Sequence, residues 1–283
     1  MSVLDRVRAC HGWRPEAYRP WTVGDTLVGR IPHGLAARLR DFSNVFEVSE
    51  EAVKLRPGLD DFAGRSGAVD GVVRGLAAAG EIGRYRGEAY AVTPLWGDDP
   101  LLKIDRGAVP SFGVRGYGVH LNGLVEATDG LKMWVGWRAR DKPTDPGKLD
   151  HLVAGGQPHG IGVFDNLIKE SAEEADLPAA LARQAVAVGA VSYRCERPEG
   201  LRDDVLFCYD LVLPPDFEPR NTDGEVDAFE LWPMEKVAAR VAETDDFKFN
   251  VALAIIDLMV RRGLIGPDHP DYMAIVDGLH LPD

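Results

Sequence analysis

The sequence predicts an α/β protein in which a mixed β-sheet flanked by helices follows a smaller α+β domain. The 283 residues correspond to about two domains of roughly 150 residues each. Segments that alternate polar and apolar residues are concentrated after residue 112, and amphipathic helical patterns lie between and after them. We therefore expect an N-terminal α+β domain over residues 1–112 and a second domain over residues 113–283.

The N-terminal domain is predicted from one helical segment, one extended segment and a glycine-rich boundary. DGVVRGLAAAG, at 70–80, places Val72, Val73 and Leu76 at helical spacing and ends at Gly80, a common helix terminator. The extended segment EAYAVTPL follows it. GAVPSFGVRGYG, at 107–118, indicates a linker or a tight surface crossing, so we place the domain boundary near residue 112.

The second domain is predicted from strands of period two and from two late helices. Residues 117–127 and 132–140 both alternate and are joined by a Thr-Asp-Gly turn, which indicates a hairpin. Further strands are expected at 184–193, 204–213 and 228–234, and helices at 233–243 and 250–263. A mixed sheet flanked by helices is the simplest architecture for this order.

Charge and cysteine content exclude several classes of function. The net charge is -13, so a nucleic-acid backbone is an unfavourable partner without a local basic stripe, and the sequence has none. Three cysteines lie at spacings that fit neither a metal site nor a disulfide framework, which favours a reducing compartment. The opening MSVLDRVRAC has no apolar signal-like run, and the apolar stretch 251–260 is short and contains Asp257. We expect a cytoplasmic protein without a membrane partner.

Three glutamates are concentrated on one predicted helix between about Gly162 and Leu177. At about 100° per residue, Glu170, Glu173 and Glu174 fall on one face, where like charges cost about 0.2–0.5 kcal/mol per pair. The opposite stripe gathers Phe164, Leu167, Ile168, Ser171 and Ala175. A hard cation such as Mg²⁺ or Mn²⁺ reverses this repulsion, because carboxylates and water are its preferred ligands. The alternative is an acidic face that is simply solvated.

The same segment is preceded by a loop with four glycines. Gly155, Gly156, Gly160 and Gly162 allow positive φ and a close approach of the backbone to a ligand or to another part of the chain. The glycines and the acidic helix together favour a metal site over a solvated face.

The stretch GGQPHGIGVFDNLIKESAEEADL resembles the loop-helix-loop signature of the Nudix (MutT-like) hydrolases. Gly155 falls on the opening glycine of the signature and Leu177 on its closing apolar position, while Glu170, Glu173 and Glu174 fall on its later glutamates. Four positions depart from the pattern: Ile161 replaces the first glutamate, Lys169 an arginine, Ser171 an apolar residue and Asp176 a glycine.

The resemblance extends over nearly the whole chain and implies both a fold and a reaction. The sequence looks like a Nudix branch related to the hydrolase module of thiamine pyrophosphokinases, in which a leading domain precedes an α/β/α sandwich. The reaction implied is hydrolysis of a diphosphate joined to another group, with Mg²⁺ or Mn²⁺ as cofactor. Glu170, Glu173 and Glu174 are then the expected metal ligands and catalytic residues. Glu225 is the candidate for an additional ligand or a general base, or else an exposed turn carboxylate.

Weaker candidates for substrate binding lie on the predicted strands. Arg138 and Lys142 could meet a phosphate, although cations at strand ends are often only solvated. His120 and Asn122 share one face of their strand by period two, so they either touch a substrate ring or form a buried, paired set. The Gly155–Gly156 backbone is a further candidate contact.

Three functions remain open at this point. The branch resemblance favours a small-molecule substrate, thiamine diphosphate or an oxidised or damaged analogue that is cut to the monophosphate. The alternatives are a nucleoside-diphosphate derivative or an isoprenoid diphosphate, and a non-catalytic ligand-sensing module. The first domain could cover the site, form a contact in a homodimer, or complete the core.

Overall fold

The structure is a computed structural model that describes residues 2–142 and 144–281. Its helices are α1 Val3–Ala9, α2 His33–Leu39, α3 Phe62–Ala78, α4 Val109–Phe112, α5 Val163–Ala175, α6 Ala179–Ala182, α7 Met234–Glu243, α8 Phe249–Arg261 and α9 Tyr272–Gly278. Its strands are β1 Tyr18–Val23, β2 Thr26–Pro32, β3 Phe46–Val48, β4 Val53–Leu55, β5 Ala89–Val92, β6 Leu102–Asp105, β7 Arg115–Ala127, β8 Gly130–Arg138, β9 Leu149–Asp150, β10 Val153–Gly156, β11 Val186–Arg197, β12 Gly200–Val212 and β13 Val226–Pro233.

The large sheet has the strand order β11-β12-β7-β8-β13, with β10 also paired to β7 and β9 to β8. Strand β12 runs parallel to β7, whereas β8 and β10 run antiparallel to it, so the sheet is mixed as predicted. Strands β7 and β8 form the predicted hairpin, in which Leu124 pairs with Met133.

Helices cover both faces of this sheet because successive side chains of its strands point to opposite sides. On one face, Val119 and Leu121 of β7 pack in a cluster with Leu167 of α5. On the other face, Leu124 joins a cluster that includes Ile255 of α8. The α/β/α arrangement expected from the sequence is therefore confirmed.

The N-terminal region has a separate core built on a smaller sheet. Strands β2-β1-β4-β3 form this sheet, and β5 pairs with β6 in a hairpin beside it. The aromatic rings of Trp21 and Phe112 meet edge to face at 5.3 Å in the centre of the core. Helix α3 starts eight residues earlier than the predicted 70–80 segment, because the Asp61 side chain caps it by accepting from the Gly64 N–H at 2.6 Å.

The prediction that 107–118 is a surface linker is wrong, because Val109, Phe112 and Val114 are buried in the N-terminal core. Gly113 has a φ of 55°, and a Cβ there would lie 2.1 Å from the Arg30 carbonyl oxygen. Glycine is needed at position 113 because the backbone passes close to β2 there, not because the segment is a flexible surface linker.

Helix α1 precedes the N-terminal core in sequence but packs in the core of the second region. Leu4, Val7 and Cys10 belong to the core cluster around α8. The division into domains at residue 112 stays a prediction, and positions 143, 282 and 283 of its second part lie outside the described residues. Within 2–142 and 144–281, no helix is long and apolar enough to cross a membrane.

Candidate active site

The glycine-rich segment enters the site as strand β10 and leaves it as the start of α5. Gly155 and Gly156 pair with Val119 and Gly118 of β7, so both glycines are part of the sheet. Of the four glycines, Gly160 has a positive φ, 92°, while Gly162 occupies the cap position before α5 with extended backbone. Positive φ was expected to be possible at all four glycines, and among them it is Gly160 that adopts it.

The paired glycines of β10 are required for close packing. A Cβ on Gly155 would lie 2.4 Å from the Cγ atom of Glu170, far inside normal contact. A Cβ on Gly156 would lie 1.5 Å from the phenol oxygen of Tyr90, which belongs to β5 of the N-terminal region. These two positions admit Glu170 from one side and Tyr90 from the other.

Two of the three predicted carboxylates turn toward β10 rather than toward solvent. Glu174 is 7% exposed and accepts a hydrogen bond from the Ala154 N–H at 2.8 Å. Burial raises the pKa of Glu174 to about 8, and the negative charges of Asp150, Glu170 and Glu225 add to that rise. Glu174 therefore lies near one carboxylate of its own helix and near carboxylates from two other parts of the chain.

Glu170 and Glu173 differ in burial although they lie one turn apart. The side chain of Glu170 is 13% exposed, and that of Glu173 is 49% exposed. Burial raises the pKa of Glu170, whereas the positive charges of Lys169 and Arg106 oppose the rise. The carboxylate face of α5 is therefore partly buried, and Glu173 lies at its open edge.

Lys169 supplies a cation between these carboxylates. Its Nζ lies 2.9 Å from Oε1 of Glu170 and 2.7 Å from Oε2 of Glu173. Across residues 2–142 and 144–281, no group of three or more His, Cys, Asp or Glu side chains converges as a ready metal site. The donors nonetheless fit a hard divalent cation in kind, because they are carboxylates and already share one positive charge.

Glu225 approaches from the turn before β13. Its Oε2 lies 2.5 Å from Nζ of Lys142, so these two predicted site residues form an ion pair. Burial alone would raise the pKa of Glu225, but the charges of Lys142, Arg106 and Arg138 lower it below its ordinary value. Two separate loops, one after β8 and one before β13, thus bring a cation and a carboxylate together.

Arg138 is placed as a buried partner of Asp150. Its Nη1 contacts Oδ2 of Asp150, and its Nε and Nη2 donate to the carbonyl oxygens of Asp145 and Thr144 at 3.2 and 3.0 Å. Burial favours neutral Asp150, but Lys248 and Arg138 outweigh it and lower the Asp150 pKa to about 2. All three guanidinium nitrogens are engaged within the protein, and a phosphate role for Arg138 stays a prediction.

His120 and Asn122 are buried and hydrogen-bonded, as in the second of the two interpretations of their spacing. Nδ1 of His120 lies 2.8 Å from Nδ1 of His151, and Asn122 donates to Asp210 at 2.9 Å. They are 4% and 1% exposed, respectively. Contact of either residue with a substrate stays a prediction.

The departures from the family signature are accommodated in the structure. Asp176 adopts φ 51° and caps α5 in the left-handed region, which the glycine of the signature adopts more readily. Ser171 is fully buried, and its hydroxyl has no hydrogen-bond partner among the described residues. On the predicted apolar stripe Leu167 and Ala175 are buried, but Phe164 is 37% exposed, with its ring 6.0 Å from that of Tyr209.

Sequence reasoning missed Asp150, Tyr90 and Arg106. Asp150 directly precedes a buried strand that ends in the glycine pair, and this position was a usable signal. Tyr90 and Arg106 lie more than 50 residues before the start of α5, and no sequence pattern gave either residue a role in the site. Their place near the site is visible only in three dimensions.

Known proteins are similar to this chain over nearly all of its length. The family described as "Domain of unknown function (DUF4743)" matches residues 2–116. Nudix hydrolase 24, chloroplastic, of Arabidopsis thaliana is 46% identical over 267 residues, which span 93% of this chain and 73% of that protein. Nudix hydrolase 20, chloroplastic, of the same plant is 41% identical over 273 residues, with the same two coverages.

A crystal structure from Deinococcus radiodurans is 20% identical, with a TM-score of 0.44 over 56% of this chain and 91% of that one. The similarity to the two plant relatives spans 93% of this chain in both cases. With this similarity and the α/β/α sandwich, the chain belongs to the Nudix hydrolase family and is a hydrolase of phosphorus-containing anhydrides.

Proposed function

We propose that this chain is a metal-dependent diphosphatase whose reaction centre is the carboxylate group formed by Glu170, Glu173 and Glu174. The observation that carries this proposal is the burial of Glu170 and Glu174 against the glycine strand β10. Buried carboxylates are costly unless a cation or donors compensate them. A group of carboxylates next to the glycine backbone of β10 therefore suits a cation and the phosphate oxygens that this cation binds.

Mg²⁺ or Mn²⁺ is the proposed cofactor, with Glu170, Glu173 and Glu174 as the residues that would hold it. When bound, a divalent cation supplies charge neutralisation at phosphate oxygens and makes a water more acidic. Lys169 neutralises part of the glutamate charge before the cation arrives, since its ammonium contacts two of the three glutamates.

Glu225 is proposed to accept the proton of the attacking water or to serve as an additional ligand. It comes from the turn before β13, separate from α5, and its charge interacts with that of Glu174. Lys142 holds it there through their ion pair, and the half-exposed carboxylate remains open to a ligand. Because Lys142 lies beside Glu225, its ammonium is also proposed to bind a phosphate of the substrate.

Thiamine diphosphate, or an oxidised or damaged analogue, is the substrate that we propose. Support comes from the family branch that the sequence resembles and from an aromatic cluster near the glycine strand. The ring of Trp96 lies 4.5 Å from that of Tyr117 and 4.7 Å from that of Phe207. Trp96 is 52% exposed, and the Tyr117 carbonyl oxygen accepts from the N–H of Gln157, one residue beyond β10. Aromatic faces suit a cationic thiazolium ring.

Substrate profiling tests this proposal. The purified chain with Mg²⁺ or Mn²⁺ is offered thiamine diphosphate, oxythiamine diphosphate, nucleotide sugars and isoprenoid diphosphates, and release of phosphate and monophosphate is measured. We expect the thiamine compounds to be cut fastest. Turnover confined to nucleotide sugars or isoprenoid diphosphates would reject the thiamine assignment and favour the second substrate class.

A matched pair of variants tests the site itself. Glu174→Gln keeps the acceptor for the Ala154 N–H but removes a charge, and we expect activity to fall by about 100-fold or more. Asp165→Asn removes an exposed charge from the first turn of the same helix and serves as the control. Unchanged phosphate release by Glu174→Gln, or no release by the parent on the whole panel, would instead support a ligand-sensing module.

A cytoplasmic location and a homodimer remain further proposals. All three cysteines are buried free thiols, which suits a reducing compartment. The plant relatives are named chloroplastic, so a plastid-like compartment is the alternative for this chain. Light scattering of the purified chain would test the dimer, and fractionation would test the compartment.

A further inference from the structure

The N-terminal region touches the glycine strand and the loop that follows it. The His159 N–H donates to the carbonyl oxygen of Ala89 at 2.8 Å, which ties the loop before α5 to strand β5. The phenol of Tyr90, the next residue along β5, fills the space that a side chain on Gly156 would need. Strand β5 therefore forms part of the wall of the candidate active site.

The turn after β6 is held rigidly against this wall. The buried carboxylate of Asp105 accepts hydrogen bonds from the N–H groups of Arg86, Gly87 and Gly107 at 3.0, 2.7 and 2.9 Å. The N–H of the next residue, Arg106, donates to the Glu88 carbonyl oxygen at 2.8 Å. Three bonds to one buried carboxylate fix the backbone from which the Arg106 side chain projects.

The guanidinium of Arg106 is held but not saturated. Its Nη1 lies 2.9 Å from Oε2 of Glu88, and its Cζ lies 6.0 Å from the centre of the Tyr90 ring. The side chain is 52% exposed. In the part of the chain that the structure describes, Nη1 is the only nitrogen of this guanidinium with a hydrogen bond, so Nε and Nη2 remain available donors.

The charge of Arg106 acts on carboxylates from both sides of the candidate site. Its guanidinium lies beside Tyr90, whose phenol oxygen occupies the space at Gly156, and the neighbouring Gly155 is the glycine that Glu170 abuts. At this position the positive charge of Arg106 interacts with Glu170 and, after Lys142, with Glu225. A diphosphate entering among these glutamates meets strong repulsion, which a single divalent cation offsets only in part. A fixed arginine at the edge of the glutamates supplies the remaining positive charge.

We propose that Arg106 is a substrate-binding residue that pairs with the diphosphate, so that the N-terminal region completes the active site of the Nudix domain. The planar guanidinium matches phosphate oxygens with two parallel donors, which an ammonium group cannot do. Glu88 then serves as the counter-ion of Arg106 in the absence of ligand. This inference rests on the proposed function, because it takes a diphosphate as the ligand.

Kinetics and direct binding test the role of Arg106. Arg106→Met is expected to raise KM for the diphosphate substrate by about 10- to 100-fold and to change kcat much less. Arg106→Lys should recover part of this loss through its charge. Arg74→Met is the matched control, because Arg74 is a half-exposed arginine of the N-terminal region whose partners are Asp70 and Tyr85.

Calorimetric titration with methylene diphosphonate separates this inference from the proposed function. We expect the parent and Arg74→Met to bind the probe with equal affinity and Arg106→Met to bind it at least 10-fold more weakly, with melting temperatures that show all three folded. Equal binding by Arg106→Met, or no binding by the parent, overturns the inference. Absence of turnover by a parent that binds the probe through Arg106 rejects the proposed function only.

Discussion

A single methyl group placed on Gly155 should disable the site through Glu170. The added Cβ would lie 2.4 Å from Cγ, 2.5 Å from Cδ and 2.7 Å from Oε2 of the glutamate. Ordinary carbon contacts begin near 3.5 Å, so Glu170 has to withdraw by about 1 Å. Gly155 itself is not in the left-handed region, so alanine introduces no backbone strain of that kind.

The displacement predicts a larger loss of activity than of stability. A misplacement of about 1 Å at a reacting centre costs on the order of 100-fold in rate, so we expect kcat/KM of Gly155→Ala to fall by about that factor. The carboxylate end of Glu170 can move, so overpacking should cost only about 1 kcal/mol. That cost corresponds to a melting temperature lower by about 2–4 °C for a chain of this size.

Phosphate release and thermal melting of four proteins check this reasoning: the parent, Gly155→Ala, Glu170→Ala and the double variant. The stability penalty of Gly155→Ala should disappear in the Glu170→Ala background, because the three atoms nearest to the new methyl all belong to the Glu170 side chain and are then removed. Gly75→Ala, at an open position of α3, is the control and should stabilise the fold by up to about 1 kcal/mol. Equal penalties in both backgrounds, or full activity of Gly155→Ala, would refute the steric argument.

Three further predictions concern buried charges. The folded pKa of Glu174, about 8, exceeds its ordinary 4.5, so ionisation of Glu174 should lower the stability of the fold increasingly from pH 4.5 to 8. In urea unfolding with EDTA, the free energy of unfolding of Glu174→Gln should exceed that of the parent by up to about 5 kcal/mol at pH 8. The two proteins should be equally stable at pH 4. Burial lowers the pKa of His151 from 6.5 to about 4, so the unfolded chain takes up the imidazole proton at a higher pH than the folded protein does. The free energy of unfolding should therefore fall as the pH drops from 6.5 to 4, and His151→Gln should reduce this pH dependence. An unchanged pH dependence in the variant would contradict the lowered pKa of His151. Arg138→Met leaves the carboxylate of Asp150 buried without its closest partner and should cost about 3–5 kcal/mol of unfolding free energy; weaker diphosphate binding at unchanged stability would point to the phosphate role instead.

Sequence periodicity placed the long strands and helices of the second domain to within a few residues, whereas β9, β10, α6 and α9 were not predicted, and the segment of β10 was expected to be a loop. The hairpin β7–β8, helices α7 and α8, and the acidic helix α5 all lie where alternation or helical spacing places them. These patterns are local, because each element must match its own hydrophobic face to one neighbouring layer. The glycine strand and the later glutamates also sufficed to indicate the family that the relatives confirm.

Tertiary structure decided which polar residues are accessible and which ones meet. Period two placed His120 and Asn122 on one face of β7, but whether that face is buried depends on the packing of distant segments against it. Likewise, helical spacing grouped three glutamates, yet the pairing of β10 with β7 buries Glu174 and leaves Glu173 in solvent. Tyr90 meets Gly156 because β5 docks against the glycine strand and the loop that follows it. Such contacts join residues far apart in the chain, and no local spacing encodes them.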